Sequence, residues 1–212
     1  MVFLSIVIAV VISAICLDKP IAILVHDTFG QSGVLGSFTG TPSFYSPLVI
    51  FILLVLFVRR LAFRPFGKLD VVLILCDVSI ILAKLIMPPL KFLFGRTWPQ
   101  YARPSLIGDG VYGFHFLHSG PGFESFPSGH MASISALIAV LWIYYPKYGP
   151  IYAAVIAAMA GGLIVGNYHF VSDVLAGSFV GFSTGVFVVS LWEAWDRHRV
   201  QSAFARVGQI RD

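Results

Sequence analysis

His169 and Asp173 are a pair of residues whose types and spacing could do chemistry. Asp173 follows His169 by four residues, and if this segment opens a helix, the i,i+4 spacing puts both side chains on one face within hydrogen-bond reach. A carboxylate so placed fixes the imidazole tautomer and raises its basicity, which a nucleophilic histidine needs. The same spacing is also typical of an interfacial histidine with an acid near a helix N-terminus, so the pair alone leaves both interpretations open.

A second histidine, His130, follows Pro127, Ser128 and Gly129 at the start of a hydrophobic run. Free backbone N–H groups and the dipole at a helix N-terminus bind anions, and glycine lets a phosphate come close to the backbone. The Ser128 hydroxyl can donate as well, and a histidine there is placed to protonate a leaving-group oxygen. Ser128 as an ordinary helix N-cap is the simpler interpretation, and it is compatible with the functional one.

Two cations, Lys91 and Arg96, stand at the end of another hydrophobic run. Snorkelling of these long side chains toward the membrane interface would explain them. An ammonium group and a guanidinium fork also suit phosphate oxygens. Together with the histidines, they point to phosphoryl-transfer chemistry at a membrane surface.

The composition of the chain favours a membrane environment for these residues. Of its 212 residues, 58% are hydrophobic and 11% are charged, with a mean hydropathy of +0.88, which is too little polar surface for a water-soluble globule. The formal net charge of +4 is spread over short loops, without a basic stripe interleaved with aromatics. We therefore expect contacts with membrane lipids and no nucleic-acid partner.

Six hydrophobic runs predict six membrane-spanning helices, and hence an all-α polytopic bundle. The runs cover residues 2–24, 46–63, 70–90, 129–145, 149–168 and 173–195, within a single membrane domain of residues 1–212. The first run has no basic segment before it, so we expect a retained helix and not a cleaved signal. Because Asp18, Lys19 and Pro20 interrupt this run, residues 21–25 are a candidate for a separate turn.

The distribution of Lys and Arg over the loops predicts the orientation in the membrane. Nine cations lie at or just beyond the ends of the second, fourth and sixth runs, namely Arg59, Arg60, Arg64, Lys68, Lys147, Arg197, Arg199, Arg206 and Arg211. Four lie on the other side, namely Lys19, Lys91, Arg96 and Arg103. By the positive-inside rule, both termini face the cytoplasm of a cell (inner) membrane, and loops 91–128 and 169–172 share the extracytoplasmic face.

These residues and their order resemble the type 2 phosphatidic acid phosphatase (PAP2) superfamily of membrane phosphatases. That family has Lys-x6-Arg-Pro, Pro-Ser-Gly-His and Ser-Arg-x5-His-x3-Asp motifs, usually on a six-helix core. The tetrapeptide ending at His130, followed by His169 and Asp173 and then by Val-Leu-Ala-Gly, carries the resemblance. It covers about residues 70–185, a catalytic core in which 91–128 would be the active-site loop.

The resemblance implies a membrane phosphatase that hydrolyses a lipid or lipid-linked phosphate monoester or diphosphate. His169 would be the nucleophile that forms a phosphohistidine, Asp173 would orient it, and His130 would protonate the leaving group. The phosphate-binding residues would be Lys91, Arg96, Ser128 and Gly129. The scheme needs no metal and no cofactor, which fits the absence of an obvious carboxylate cluster from the sequence.

The first family motif is altered in this chain. Counting from Lys91 puts Trp98 where the motif has arginine, although Arg96 lies two residues earlier and could supply the guanidinium. A second register, from Arg96 to Arg103 and Pro104, also fits the spacing with arginine in place of lysine. We prefer Lys91 with Arg96, because both stand where the third run reaches the membrane surface, and Arg103 stays the alternative.

The third family motif is altered as well, because Gly162 and Leu163 stand where it has Ser-Arg. Losing a charge-assisted contact to a transferring phosphoryl group can cost several kcal/mol of transition-state stabilisation. Either another cation compensates, or the ligand differs. Two alternatives therefore stay open: a lipid phosphotransferase with the same nucleophile, and a catalytically silent lipid-binding or transport scaffold of the same fold.

Two further sets of polar residues have no counterpart in the motifs. Asp77 and Lys84 lie seven residues apart in the third run, hence on one helix face, where mutual neutralisation is the plainer interpretation. His115 and His118 in the outer loop are more typical of solvated loop histidines than of substrate contacts.

Overall fold

The structure is a computed structural model, which describes residues 2–29, 45–61, 67–99 and 112–209. Its helices are α1 (Val2–Ile12), a π-helical turn (Ser13–Leu17), α2 (Asp18–Phe29), α3 (Tyr45–Leu61), α4 (Lys68–Phe94), α5 (Gly129–Tyr144), α6 (Gly149–Val165) and α7 (Val171–Gln209). A 3-10 turn, Pro146–Tyr148, precedes α6. Since α1, the π turn and α2 are continuous, the described residues form six helical rods, one for each predicted span. The all-α prediction is confirmed.

Three of these rods are long and apolar enough to cross a membrane by length and composition alone: Phe3–Phe29, Pro146–Val165 and Val171–Arg199. Helices α3 and α5 have 17 and 16 residues, and their apolar parts, Val49–Arg59 and Gly129–Tyr144, are shorter than the range of about 17 to 25 residues for a spanning helix. Helix α4 has 27 residues and carries Asp77 and Lys84 in its middle. The chain is therefore a membrane protein in which most helices are apolar and α4 carries two charged residues in its middle.

The predicted interruption of the first rod is wrong. The chain stays helical through Asp18 to Phe29, so residues 21–25 form no separate turn. The rod widens earlier, in the π turn, which contains Cys16. Since the ring of Pro20 would meet the carbonyl of Cys16 in a regular α-helix, the wider turn accommodates the proline.

Helix α4 extends further than the predicted third span. It continues through Pro88 and Pro89 and ends at Gly95, whose φ of 49° is left-handed. Glycine adopts this conformation without steric cost and commonly ends helices. The loop expected to start at residue 91 therefore starts four residues later, and Lys91 belongs to the last helical turn.

Helices α5 and α7 approach each other backbone to backbone. The contacts join Gly177 to Ser128, Gly181 to Ala132, and Gly185 to Ala136. A Cβ atom at any of the three glycines would collide with a backbone carbonyl of the α5 side, and small residues at such spacing allow membrane helices to pack closely. The Ser128 N–H also donates to the Asp173 carbonyl at 3.0 Å. The N-termini of α5 and α7 therefore lie side by side.

Candidate active site

His130 and His169 line one cavity, of about 530 Å³. Their ring centroids are 6.2 Å apart and their planes are inclined by 65°. His130 lies in the first turn of α5, and His169 lies two residues before α7, so the close packing of the two helix N-termini brings the rings together. A phosphoryl group bound in this cavity can contact both imidazoles.

Asp173 lies behind His169 and is fully buried. Its Oδ2 atom is 3.4 Å from Nδ1 of His169, and it accepts hydrogen bonds from the Phe170 N–H at 3.0 Å and from the Ser125 hydroxyl at 2.5 Å. The bond from Phe170, just before the helix, to the third residue of α7 is one half of a capping box. Thus the i,i+4 pair is close in space although His169 itself precedes the helix.

Lys91 contributes a cation to the cavity from the last turn of α4. Its ammonium lies beside Gly129, 4.0 Å from the position that a Cβ atom there would take. It also lies 5.7 Å from the ring centroid of Trp98, and this ring is 4.9 Å from that of His169. Lys91 and Gly129 therefore line the same cavity as the two histidines, and their predicted contact with a phosphate stays a prediction.

Ser128 caps α5. Its hydroxyl oxygen accepts the Met131 N–H at 3.4 Å, and its side chain is fully buried. Gly129 and His130, the next two residues, line the cavity. The simpler of the two interpretations of Ser128 therefore describes its contacts here, and the predicted contact with a phosphate stays a prediction.

Arg96 is placed differently from its predicted contact with a phosphate. It is 1% exposed, with one nitrogen donating to Asp173 Oδ1 at 2.7 Å and the other to Asp18 Oδ2 at 2.7 Å. The rings of Phe114 and Phe170 lie 4.6 and 4.2 Å from the guanidinium carbon. Although burial lowers the pKa of Arg96, the carboxylates of Asp173 and Asp18 raise it above its usual value, so the side chain stays cationic. Arg96 therefore supports Asp173 from behind and does not line the cavity.

Positions 163 and 103 are the other two that the altered motifs concern. Leu163 is fully buried in an apolar cluster with Met131 and Val174, so the site of the absent family arginine is part of the hydrophobic core. Arg103 lies outside the described residues. Among the described residues, the lysine and arginine side chains that line the cavity are Lys84 and Lys91.

Lys84 is a cavity residue that the sequence analysis missed. It lies two turns before Lys91 on the same face of α4, and both line the cavity with Met87 between them. The expected neutralisation by Asp77 is not made through a hydrogen bond, because neither oxygen of that carboxylate has a hydrogen-bond partner among the described residues. The i,i+7 spacing of the two lysines was the available signal.

His118 and Ser125 were missed for a different reason. His118 lines the cavity, and its ring lies 4.3 Å from that of Phe123. Ser125 donates to Asp173 across 48 residues of sequence. Both belong to the segment between α4 and α5, where no helical period relates a residue to its neighbours in space.

Comparison with known proteins identifies the family. The model of the PAP2 superfamily matches residues 70–197, which is more than half of the chain. The chain belongs to the PAP2 superfamily. The matched region contains the PAP2 motif residues His130, His169 and Asp173, together with Lys91 and Arg96.

Two relatives of this chain are lipid A 1-phosphatases. The chain is 30% identical over 133 residues to the one from Rhizobium johnstonii, covering 62% of this chain and 48% of that protein. It is 30% identical over 104 residues to the one from Rhizobium etli, covering 49% and 43%. The chain thus spans about half the length of the curated relatives it matches.

A solved structure shares the fold. It is the crystal structure of the first transmembrane PAP2-type phosphatidylglycerolphosphate phosphatase from Bacillus subtilis, with a TM-score of 0.52. The match covers 90% of this chain and 96% of that one at 20% sequence identity. The likeness shows a PAP2-type membrane fold.

Proposed function

We propose that this protein is an integral membrane phosphatase that hydrolyses a lipid or lipid-linked phosphate monoester or diphosphate through a phosphohistidine. The observation that carries the proposal is the meeting of His130 and His169 in one cavity, with Asp173 behind the second ring and Lys91 beside Gly129. The names of the Rhizobium relatives support a lipid phosphate as the substrate class. We place the catalytic core in residues 70–185.

In the first step, a ring nitrogen of His169 attacks the phosphorus atom. The P–N bond forms as the P–O bond to the leaving group breaks, and imidazolium His130 gives its proton to the departing oxygen. Asp173 accepts the Nδ1–H of His169, which fixes the tautomer and stabilises the positive charge that develops on the ring. The product of this step is an alcohol, or a shorter phosphate, and phosphohistidine.

In the second step, water attacks the phosphohistidine. His130, now neutral, takes a proton from this water as the P–N bond breaks, so that inorganic phosphate leaves and both histidines return to their starting states. An alcohol in place of water would give phosphoryl transfer with the same nucleophile. The hydrolase and the phosphotransferase thus differ only in the acceptor.

Lys91 and the backbone N–H groups at the start of α5 hold the non-bridging phosphate oxygens in this scheme. A helix N-terminus binds anions through its free N–H groups and dipole, and Lys91 lies directly beside Gly129 in its first turn. Lys84 adds a second positive charge to the same cavity. We therefore propose that these protein groups neutralise the phosphate and that the reaction needs no metal.

We place the cavity on the extracytoplasmic side of the membrane, with both termini in the cytoplasm. The positive-inside rule supports this orientation. The side opposite the cavity carries nine Lys and Arg residues, and the side of the cavity carries four. Trp98, His118, Gly129, His130 and His169 of the cavity lie in or next to the loops that we place on that side, whereas Lys84 lies deeper in α4. A lipid substrate in the outer leaflet would reach the cavity laterally.

The purified protein should release phosphate from at least one member of a lipid phosphate panel in a buffer containing EDTA. The panel should include phosphatidate, phosphatidylglycerol phosphate, isoprenyl diphosphate and lipid A, each carrying radiolabelled phosphate, with and without an added acceptor alcohol. Free labelled phosphate supports hydrolysis, whereas label on the alcohol favours the phosphotransferase. Lipid binding without turnover of any substrate would favour a silent scaffold, and loss of turnover in EDTA alone would contradict the metal-free mechanism.

Replacing Lys91 by glutamine should lower kcat/KM by about a hundredfold, because the phosphoryl group loses a charge-assisted contact. Lys68→Gln is the matched control, since Lys68 lies at the opposite end of the same helix, over the rings of Tyr144 and Tyr145. Steady-state phosphate release from the best lipid substrate measures both. An equal loss in the two variants would contradict a role for Lys91 in the cavity.

Replacing His130 by asparagine should slow release of a lipid alcohol by about 10²- to 10⁴-fold, the usual range for a general acid. The loss should be much smaller with a p-nitrophenyl phosphate ester, because p-nitrophenolate leaves without a proton. Comparing wild-type and variant rates for the two leaving groups isolates this role. A loss that is the same for both leaving groups would show that His130 does not act as the proton donor.

A further inference from the structure

Asp18 connects the N-terminal rod to the candidate active site. It is 1% exposed, and it accepts hydrogen bonds from the Ser172 N–H at 3.0 Å, from the Ser172 hydroxyl, and from Arg96 at 2.7 Å. A carboxylate inside a membrane bundle is costly unless it is paired, and such charges mark functional sites. All of these partners lie beside the His169 segment, although Asp18 is more than 150 residues away from it.

Arg96 links this carboxylate to the catalytic one. The two terminal nitrogens of its guanidinium hold Asp18 and Asp173 at 2.7 Å each, and the nitrogen on Asp173 also donates to the Ser172 hydroxyl. A planar guanidinium fixes the relative positions of two carboxylates more firmly than an ammonium does. A continuous series of contacts therefore runs from Asp18 through Arg96 and Asp173 to His169.

The charges in this series also matter for His169. Two carboxylates share one guanidinium, so the positive charge of Arg96 neutralises Asp173 only in part. Asp173 can therefore still stabilise the positive charge that develops on the His169 imidazole during phosphoryl transfer. Without the Asp18 charge, the guanidinium would act on Asp173 alone, and the carboxylate would stabilise a positive His169 less. Removing Asp18 thus changes the orientation and the electrostatics of a residue that it does not touch.

We propose that Asp18 is a positioning residue for the catalytic carboxylate, acting through Arg96 and Ser172. This inference rests on the proposed function. It makes the N-terminal rod part of the catalytic machinery, although that rod lies outside residues 70–197, which the family model matches. The π turn Ser13–Leu17, immediately before Asp18, is a kind of helical irregularity that is frequent at functional sites.

The test is Asp18→Asn in the full-length protein. Loss of charge should lower kcat by about ten- to a hundredfold, as expected for a charged hydrogen bond, and should leave KM unchanged because Asp18 is remote from the substrate. Asp18→Glu keeps the charge and should retain more activity than Asp18→Asn. Asp70→Asn is the matched control, because Asp70 is another buried carboxylate paired with an arginine, Arg59, at the opposite end of α4.

The outcomes separate positioning from simple structural support. A lower kcat at unchanged KM in Asp18→Asn, with normal kcat in Asp70→Asn, supports the inference; wild-type kcat in Asp18→Asn overturns it. If Asp18→Asn does not fold, Ser172→Ala removes only one link, and a kcat that stays at the wild-type value in that variant overturns the inference. A wild-type protein inactive on the whole lipid panel would overturn the proposed function and this inference with it, whereas an active wild type with an unaffected Asp18→Asn variant overturns the inference alone.

Discussion

Replacing His169 by asparagine should lower kcat for phosphate release by at least about 10⁴-fold, the scale expected when a nucleophile is removed. Asparagine can still donate a hydrogen bond toward Asp173, but it offers no nitrogen that forms a bond to phosphorus. The rate should be measured at saturating lipid phosphate. In parallel, denaturing quench of a reaction with labelled substrate should trap phosphate on the wild-type chain and none on the variant.

His198→Asn is the control for this experiment. His198 lies in the distal, exposed part of α7, far along the same helix from the cavity, so its loss should leave kcat unchanged. Comparable melting temperatures of the three proteins would show that His169→Asn is folded. Persistent turnover by a folded His169→Asn variant would exclude His169 as the nucleophile and would remove the basis of the phosphohistidine mechanism.

The parts of this fold that depend on local patterns could be predicted from the sequence. Each of the six rods has its own hydrophobic run, and Gly95 ends a helix because a left-handed residue there costs glycine little. The proximity of His169 and Asp173 follows from four-residue spacing. The cavity-lining position of His130 follows from a glycine and an N-cap at the start of α5. All of these relations involve residues that are close in sequence.

The contacts that the sequence did not predict join residues that are far apart in the chain. Sequence spacing does not indicate which carboxylates Arg96 binds, because its partners Asp173 and Asp18 are 77 and 78 residues away. Asp18 looked like a helix breaker because it precedes Pro20, whereas it is the buried partner of Arg96 and Ser172. No periodic signal relates these positions, since their meeting depends on how three segments that are distant in sequence pack together.

The position of Arg96 changes the explanation of the altered family motifs. Arg96 is bound to Asp18 and Asp173. It therefore does not take the place of either family arginine, at whose positions this chain has Trp98 and Leu163. In the part of the chain that the structure describes, the positive charges on the cavity side of the histidines belong to Lys91 and Lys84. The missing arginines are thus compensated, in our proposal, by ammonium groups of one helix face and not by a shifted guanidinium.

Gly181→Ala should destabilise the protein by about 2 kcal/mol, the usual scale of overpacking. The added methyl group would collide with the backbone carbonyl of Ala132, which cannot move away as a flexible side chain can. Gly161→Ala is the matched control, because no described atom outside the neighbouring backbone of α6 lies within 4 Å of the position that its Cβ would take. Alanine has a better helix propensity than glycine, so Gly161→Ala should change the free energy of unfolding by no more than about 0.5 kcal/mol. Survival of folded protein after heating in detergent measures both.

The same substitution also tests whether helix packing sets the geometry of the catalytic pair. If α7 moves away from α5 to make room for the methyl group, His169 moves relative to His130, and a displacement of about 1 Å can cost about a hundredfold in rate. Gly181→Ala should therefore lose activity even at temperatures where it remains folded, whereas Gly161→Ala should not. Full activity and unchanged stability in Gly181→Ala would mean that the backbone contact between α5 and α7 does not hold the two histidines together.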